Sequence, residues 1–562
     1  MVRRRAWTAV VAGGAALLVP RGQDDSDNPS VRAQERMAVL PRWFGDERLA
    51  AVRAARAVSC VLSIVVENAV MRNSENRAAM FQRQGQRTYR VLEKNGGVYT
   101  KTGQMLSQMD HLLPVEYCRE LRPLFNECKS RDWHDVKRLL ESELLTDEAP
   151  FCSLNDIFET VETQPVASAS LASVYRAKLT ASVLARTCTD AHEAVGTSLY
   201  VAIKVQHPEL AFHAPMDILV VKYLLRIGGQ LFETVSKLSW LAEELEQNLP
   251  KELDFSVEAQ NLQRCAQNIA SSHSAIVRRN TMTPQAFPEL SSKRVLTMSF
   301  ESGVLMSDRA AIEKLGLAPA DVSRVLAEFF SDQIFERGFV HCDPHSANVL
   351  VRVRDETKHS KEPMLVILDH GLYRQLSDEM RLDYARLWRA ILMRDEVEIY
   401  RLMRKFHIED EESAQLFFSM LTFRSWSEVE QHKRVGFPAG LMSADRQQTD
   451  SERVKQFAAQ NADRINDLLG RVPRDVLFLL KMHDCLRAVD RQLGAPYCSL
   501  LTAARFSLGA LARNEAEMDT SPALSWSFLD ARAWSAHVFT RVRYATYECV
   551  LALIQLITRV IG

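Results

Sequence analysis

The period of the apolar positions changes several times along this chain, and each change marks an element. From Ala6 to Val19 an apolar run is broken by no charge, and Asp24 to Glu35 is mostly polar and charged and reads as a linker. From Arg48 to Val70 an apolar stripe shared with Arg53, Arg56 and Glu67 predicts an amphipathic helix, expected to lie in the core rather than on a membrane. Leu199-Tyr200-Val201-Ala202-Ile203-Lys204-Val205 is a strand pattern interrupted by one lysine. Val322, Val325, Leu326, Phe329, Phe330 and Ile334 then recur at helical spacing until Gly338 stops the run, so a buried helix is expected to present His341 and Asp343. Val349 to Val351 and Met364 to Leu368 read as a hairpin whose polar link runs from Arg352 to Pro363. Helical patterns follow near Asp378 to Phe406, Val454 to Leu469 and Arg474 to Leu493, separated by segments such as Val435-Gly436-Phe437-Pro438. The last apolar stretch, Tyr547 to Ile561, is expected to dock on the domain ahead of lying on a membrane.

Composition narrows the class. With 562 residues, 47% of them hydrophobic, and a net charge of -1, the chain has material for several packed units and no basic excess for nucleic acid. Its ten cysteines show no Cys-x-x-Cys pair, which points to reduced thiols in core positions over a disulfide framework. The fourteen histidines form no ligand cluster, and His341 and His345 are expected to order a loop. Arg3-Arg4-Arg5, the apolar run after it and the lack of acidic residues before Asp24 suggest a targeting segment. That run is shorter than the roughly 20 residues a spanning helix needs, so a removable presequence is preferred, with a secretory signal as the alternative.

The chemistry gathers around His341-Cys342-Asp343-Pro344-His345-Ser346-Ala347-Asn348 and, downstream, Asp369-His370-Gly371. A carboxylate, an amide five residues on and a second carboxylate beside glycine have the spacing of a kinase catalytic loop and metal-binding turn. Asp343 would orient or deprotonate an acceptor, while Asn348 and Asp369 offer the hard oxygens that magnesium prefers. Lys204 is the candidate phosphate clamp, and a buried lysine needs a carboxylate, for which Glu258 on a following helix is the natural choice. Where a protein kinase has a glycine-rich loop, Pro165 to Val174 contains no glycine, so this loop should be stiffer and differently shaped.

These residues resemble the UbiB family of atypical kinases, also called aarF-domain-containing kinases, and within it the mitochondrial branch numbered one in animals. The resemblance rests on Lys101-Thr102-Gly103-Gln104, the alanine-rich loop Ala167 to Ser170, Val201-Ala202-Ile203-Lys204, Glu252-Leu253-Asp254 with Glu258 after it, the catalytic octad and Asp369-His370-Gly371. It implies an α+β fold of the bilobal protein-kinase type, with a small N-lobe sheet and a helical C-lobe. The implied organisation is a targeting segment and linker over 1–35, a helical extension over 36–160, an N-lobe over 161–300, a C-lobe over 301–425 and a helical C-terminal extension over 426–562. It implies binding of ATP or ADP with Mg2+ by Ala167, Ser168, Ala169, Ser170, Lys204, Met298 and Phe300, with Asn348 and Asp369 on the metal. The extension carrying Lys101 and Gln104 would cover the site where a peptide otherwise docks, and Glu252 and Asp254 would contact it. The implied setting is the mitochondrion, near its inner membrane, with a plastid or other organelle as the alternative. Peripheral membrane contact, a lipid or isoprenoid substrate and a link to coenzyme Q belong to the same expectation.

Three departures change the reading. Ser168 stands where well-studied relatives have alanine, and Cys342 replaces the arginine with which regulated protein kinases receive an activation-loop phosphate. From Leu372 to Ser377 the chain passes straight toward a helical pattern, with no Ala-Pro-Glu signature. An ATP-dependent atypical kinase or ATPase is therefore favoured over a nucleotide-switched scaffold without phosphotransfer, and over a conventional Ser/Thr protein kinase.

Overall fold

The computed structural model describes residues 29–519 except 72–75, 108, 110–112, 126–130, 147–149, 188–199, 232–234, 236–237, 343–344, 356–360, 394, 423–461 and 495–498, with side chains from Leu49 onward. The targeting run, Asp343, Val435 to Pro438 and the Tyr547 to Ile561 stretch lie outside the described residues. Helix α1 spans Pro29–Val70, so the expected linker is helical from Pro29 on. The chain divides between Ser59 and Cys60, within this helix. The apolar surface of α1 is core only in part: Ala57 and Cys60 are buried, but most of it is not. Its segment Leu49–Val70 has a mean hydropathy of 1.9 and is only 17% buried, so it is long and apolar enough to cross a membrane by length and composition. Val58, Leu62, Val66 and Val70, one helical turn apart, are all exposed. Amphipathic spacing had foretold a helix here but carries no information on what covers its apolar face.

Helices α2 (Arg77–Asn95), α3 (Val98–Ser107) and α4 (Val115–Leu121) follow, with α5 (Trp133–Leu144) leading into the N-lobe. There β1 (Phe158–Val161), β2 (Ala167–Ser168), β3 (Ala172–Leu179), β4 (Tyr200–Gln206) and β6 (Val295–Ser299) form an antiparallel sheet in the order β1-β3-β4-β6, with β2 paired to β3. Alternation along β4 divides its side chains between two environments. Val201, Ile203 and Val205 enter the apolar core beneath α5, while Ala202 joins Leu262 and Met298 on the opposite face, which Lys204 shares. Helices α6 (Leu210–Leu231), α7 (Ser239–Glu252) and α8 (Phe255–Ala270) are inserted between β4 and β6.

The C-lobe begins with strands β5 (Thr281–Met282) and β7 (Val304–Leu305) and helix α9 (Pro319–Ser331). The expected single helix up to Gly338 is instead α-helical only to Ser331 and a π-turn over Asp332–Arg337. The wider turn keeps Ile334 and Phe335 buried and lets Asp332 accept from the Ser272 hydroxyl at 2.6 Å. Gly338 ends it at φ 61, a left-handed conformation where a side chain is strained and a Cβ would stand 3.3 Å from the Leu376 carbonyl. The next piece is therefore a strand, β8 (Phe339–His341), and His341 is presented from a strand rather than from the helix itself. The hairpin forms as expected from β9 (Val349–Val353) and β10 (Pro363–Ile367), paired antiparallel. The short β11 (Tyr373–Gln375) returns to pair with β8.

Helices α10 (Asp378–Met393), α11 (Glu396–Lys405), α12 (Glu411–Thr422), α13 (Ala462–Arg471), α14 (Arg474–Leu493) and α15 (Ser499–Asp519) complete the described chain. Phe335, Tyr384 and Trp388 form the aromatic centre of the large apolar core these helices share with α9. Two charged pairs and one hydrogen bond pin the last two helices to α9 and its π-turn: Arg505 to Glu328, Arg513 to Glu336, and the Ser323 hydroxyl donating to Asp490.

Candidate functional site

Lys204 comes from the middle of β4, where cross-strand pairing with Val174 and Leu296 fixes its direction. Its Nζ donates to Glu258 Oε1 at 2.6 Å and Oε2 at 2.9 Å, and to Asp369 Oδ1 at 3.3 Å. Glu258 lies in the first turn of α8, which Asp254 caps by accepting the Ser256 amide at 3.0 Å. One turn farther along α8, Asn261 Nδ2 donates to the His370 carbonyl at 3.0 Å, so the helix that presents Glu258 also grips the turn that presents Asp369. Burial pushes Glu258 up to about 7; Lys204 opposes that shift and the Asp369 charge adds to it. Burial likewise opposes the Lys204 ammonium, but Asp369 and Glu258 outweigh it and raise the lysine above its ordinary range. For Asp369, burial works against ionisation, yet Lys204, the Gly371 amide, His341 and Lys101 hold its carboxyl well below the usual range. The ammonium is thus shared between two carboxylates, of which Asp369, 43% exposed, is the open one.

The Asp369-His370-Gly371 turn and the loop after His341 are braced from behind. The Asp369 carbonyl accepts from His341 Nε2 at 2.5 Å, and the His341 amide donates to Gln333 Oε1 at 3.0 Å. His370 Nε2 meets the Ile367 carbonyl at 3.0 Å and Nδ1 meets the Tyr373 hydroxyl at 2.9 Å. Burial, with His341 nearby, pushes His370 down to about 3, so its ring is neutral and both nitrogens are satisfied by one carbonyl and one hydroxyl. The Leu368 amide donates to the Asn348 carbonyl at 2.9 Å, which seats Asn348 beside the residue preceding Asp369. His345 Nδ1 accepts the Ala347 amide at 3.2 Å, so both histidines of the loop make ordering contacts. Above the site, Lys101 on α3 reaches Glu252 Oε2 at 2.6 Å.

The ABC1 atypical kinase-like domain matches residues 123–403 of this chain. AarF domain-containing protein kinase 1 of Mus musculus is 33% identical over 481 residues, covering 84% of this chain and 84% of that protein. The protein of the same name in Xenopus tropicalis is 34% identical over 461 residues, covering 82% of this chain and 79% of its own. The chain belongs to the ABC1, or AarF, family of atypical kinases. Rv3197 of Mycobacterium tuberculosis, solved in a complex with erythromycin, is a remoter likeness at 17% identity and a TM-score of 0.42, covering 74% of this chain and 93% of that one.

Within this ABC1 domain the structure draws Lys204, Glu258 and Asp369 together and sets Asn348 near them, and it brings Lys101, which precedes the matched residues, onto Glu252. It treats three other expected residues differently. Gln104 Nε2 donates to the Leu124 carbonyl at 3.0 Å, a bond within the extension. Asp254, expected to contact the extension, spends Oδ1 on the amide and hydroxyl of Ser256 as a helix cap. Ser168, expected among the phosphate-binding residues, meets Ser173 Oγ at 3.1 Å; β2 pairs with β3 so that this hydroxyl lies on the face opposite Lys204, whereas Ala167 shares the Lys204 face. Ala169 continues the turn, its amide donating to the Ala172 carbonyl at 2.8 Å, and Ser170 is buried. Met298 packs with Ala202 and Leu262, and Phe300, just past β6, lies beside the Arg176 guanidinium. Sequence reading missed His207 and Ser173. The available signal was the period-2 run Val201, Ile203, Val205, His207, which continues the inward face of β4 by one more residue.

Proposed function

We propose that this ABC1 family chain binds Mg-ATP and acts as an atypical kinase or ATPase in mitochondrial lipid or coenzyme Q homeostasis. The observation that carries the nucleotide part is Lys204 held at 2.6 Å from Glu258 and 3.3 Å from Asp369, a cation stretched between a buried carboxylate and an open one. Phosphoryl transfer asks the protein mainly for positioning and charge neutralisation. Lys204 supplies the cation, the Ala167 to Ser170 turn lines the phosphate side with its backbone, and Met298 and Phe300 lie along the apolar edge. Asn348 and Asp369 would hold Mg2+, which when bound offsets phosphate charge; oxygen donors of these two types, one of them substantially exposed, fit that ion. Asp343 orients water or an acceptor hydroxyl, and Lys101 with Glu252 gates entry from the extension.

An acceptor of lipid or isoprenoid type and peripheral contact with the inner membrane fit the exposed apolar ridge of α1. The mitochondrial setting rests on Arg3-Arg4-Arg5 and the apolar run behind it. The deciding experiment is magnesium-dependent ATP hydrolysis, with and without cardiolipin-containing liposomes, alongside Asp343→Asn and Asp369→Asn. Turnover that both substitutions abolish supports an enzyme. Nucleotide binding without turnover under every condition would mark a switched scaffold instead.

A further inference from the structure

Behind the nucleotide loop, three polar side chains form one hydrogen-bonded line on the sheet face opposite Lys204. Ser168 Oγ lies 3.1 Å from Ser173 Oγ, and Ser173 Oγ lies 3.2 Å from His207 Nε2. The backbone adds a parallel tie, since the His207 amide donates to the Leu171 carbonyl at 2.9 Å. His207 is 2% exposed and Ser173 1%, so neither group can exchange these bonds for water without opening the lobe. Burial, and secondarily the Arg131 guanidinium, push the His207 imidazole down to about 4 against the pull of Glu209 and the Ser170 backbone, which leaves it neutral, with Nε2 facing Ser173 and Nδ1 buried without a hydrogen-bond partner. Arg131 in turn reaches Glu209 Oε1 at 2.5 Å, immediately after the His207-Pro208 step.

A loop that contains no glycine and is tied at both its ends cannot flex as a glycine-rich one does. We propose that His207 is a positioning residue for the nucleotide loop: acting through Ser173 and Ser168, it pins the 167–173 turn from behind and holds the backbone of that turn in one preset shape for phosphate. None of the three side chains touches the nucleotide in this arrangement; they act through the backbone they hold. The inference deepens the nucleotide-binding reading and rests on it for its functional consequence, while its structural half stands without any ligand.

The test is made on the full chain in two steps. Amide hydrogen exchange without nucleotide reads the turn directly: Ser173→Ala and His207→Ala should each speed exchange at Ala169 and at position 207 by about tenfold, the loss of one net hydrogen bond. Titration with Mg-ATP carrying a fluorescent ribose label should then show Kd raised about five- to tenfold by either substitution, with the double variant no worse than the singles because one line is being cut. His207→Gln, whose amide can still reach Ser173, should recover most of the wild-type affinity, which a merely space-filling role would not produce. Should His207→Ala fail to fold, Ser173→Ala, a loss of one buried hydroxyl, carries both measurements. Unchanged exchange and unchanged Kd in Ser173→Ala would overturn the proposal. Faster exchange in a protein whose wild type binds no nucleotide would uphold the tie and overturn its functional half together with the nucleotide reading.

Discussion

Lys204 Nζ stands 3.3 Å from Asp369 Oδ1 across 165 residues of sequence, and the same ammonium is held at 2.6 Å by Glu258. Glu258 is therefore the nearer of the two carboxylates that set where the lysine points. Substituting Glu258→Gln keeps the shape but halves the charge facing Lys204, so the lysine should collapse onto Asp369. We expect ATP turnover to fall about 100-fold, the scale of a misplacement of roughly 1 Å. Steady-state kinetics with a thermal melt would check this, and wild-type turnover in a folded Gln variant would refute the assignment.

Asp369→Asn addresses the open carboxylate. It removes the charge that faces solvent while leaving Lys204 with its buried partner. Metal-dependent nucleotide affinity should disappear, measured as the difference in Kd with Mg2+ and with EDTA. An affinity that still responds to magnesium would exclude Asp369 as a ligand.

Lys101 and Glu252 form a partly exposed pair, and such pairs contribute only about 0–1 kcal/mol to stability. Lys101→Ala should therefore shift Tm by less than about 3 °C. Its effect should appear in turnover or nucleotide selectivity, because Lys101 also bears on the Asp369 charge. A large loss of stability without a kinetic change would make this lysine a strut of the extension.

Asp490 gives a pH-dependent test. Burial pushes it from the usual 3.8 to about 7, against the pull of the Ser323 hydroxyl, Arg487 and Arg491. The folded state thus binds more protons than the unfolded state between those two values, and stability must fall as pH rises through that window. Asp490→Asn should flatten this slope and raise Tm at pH 8 by roughly 2–5 °C while leaving pH 4 little changed. Thermal melts of both proteins from pH 4 to 8 would show it; parallel curves would contradict it.

Glu328 is 1% exposed, and its oxygens are taken by Arg505 and by the Ser274 hydroxyl. Arg505→Met strands that carboxylate and should cost about 3–5 kcal/mol, while the double change with Glu328→Met should recover most of it, since an apolar pair of similar volume often replaces a buried ion pair without loss. Chemical denaturation of the three proteins measures both effects.

The parts of this site that could be read from sequence are those whose chemistry is local. Asn348 and Asp369 sit at set distances from a recognisable hairpin, and Lys204 announces itself as the one charge in an apolar strand. Its pairing with Glu258 followed from the cost of burying an ammonium alone, although two helices separate the elements. Gln104 and Asp254 were harder, because an amide or a carboxylate can satisfy a nearby backbone group as readily as a ligand, and only the fold shows which it does. The direction of the Ser168 side chain was hidden for a related reason: neighbouring residues of a strand face opposite ways, and the register of β2 against β3 is a tertiary fact. The π-turn before Gly338 left no mark in the apolar spacing, since one wider turn shifts the buried stripe by a single residue. For α1, spacing foretold the helix and could not say that the ridge Val58, Leu62, Val66 and Val70 would face outward while Ala57 and Cys60 are buried.

The pairing of Tyr373 with His341, Arg374 with Val340 and Gln375 with Phe339 closes the few residues after the metal turn onto the strand that leads into the catalytic loop. Helix α10 then begins at Asp378, so no slack remains there to be drawn in or released. A chain wired in this way has little means of refolding a segment downstream of Asp369. On the proposed reading, control would then fall upstream, to the extension carrying Lys101 and to how long it lets a guest stay.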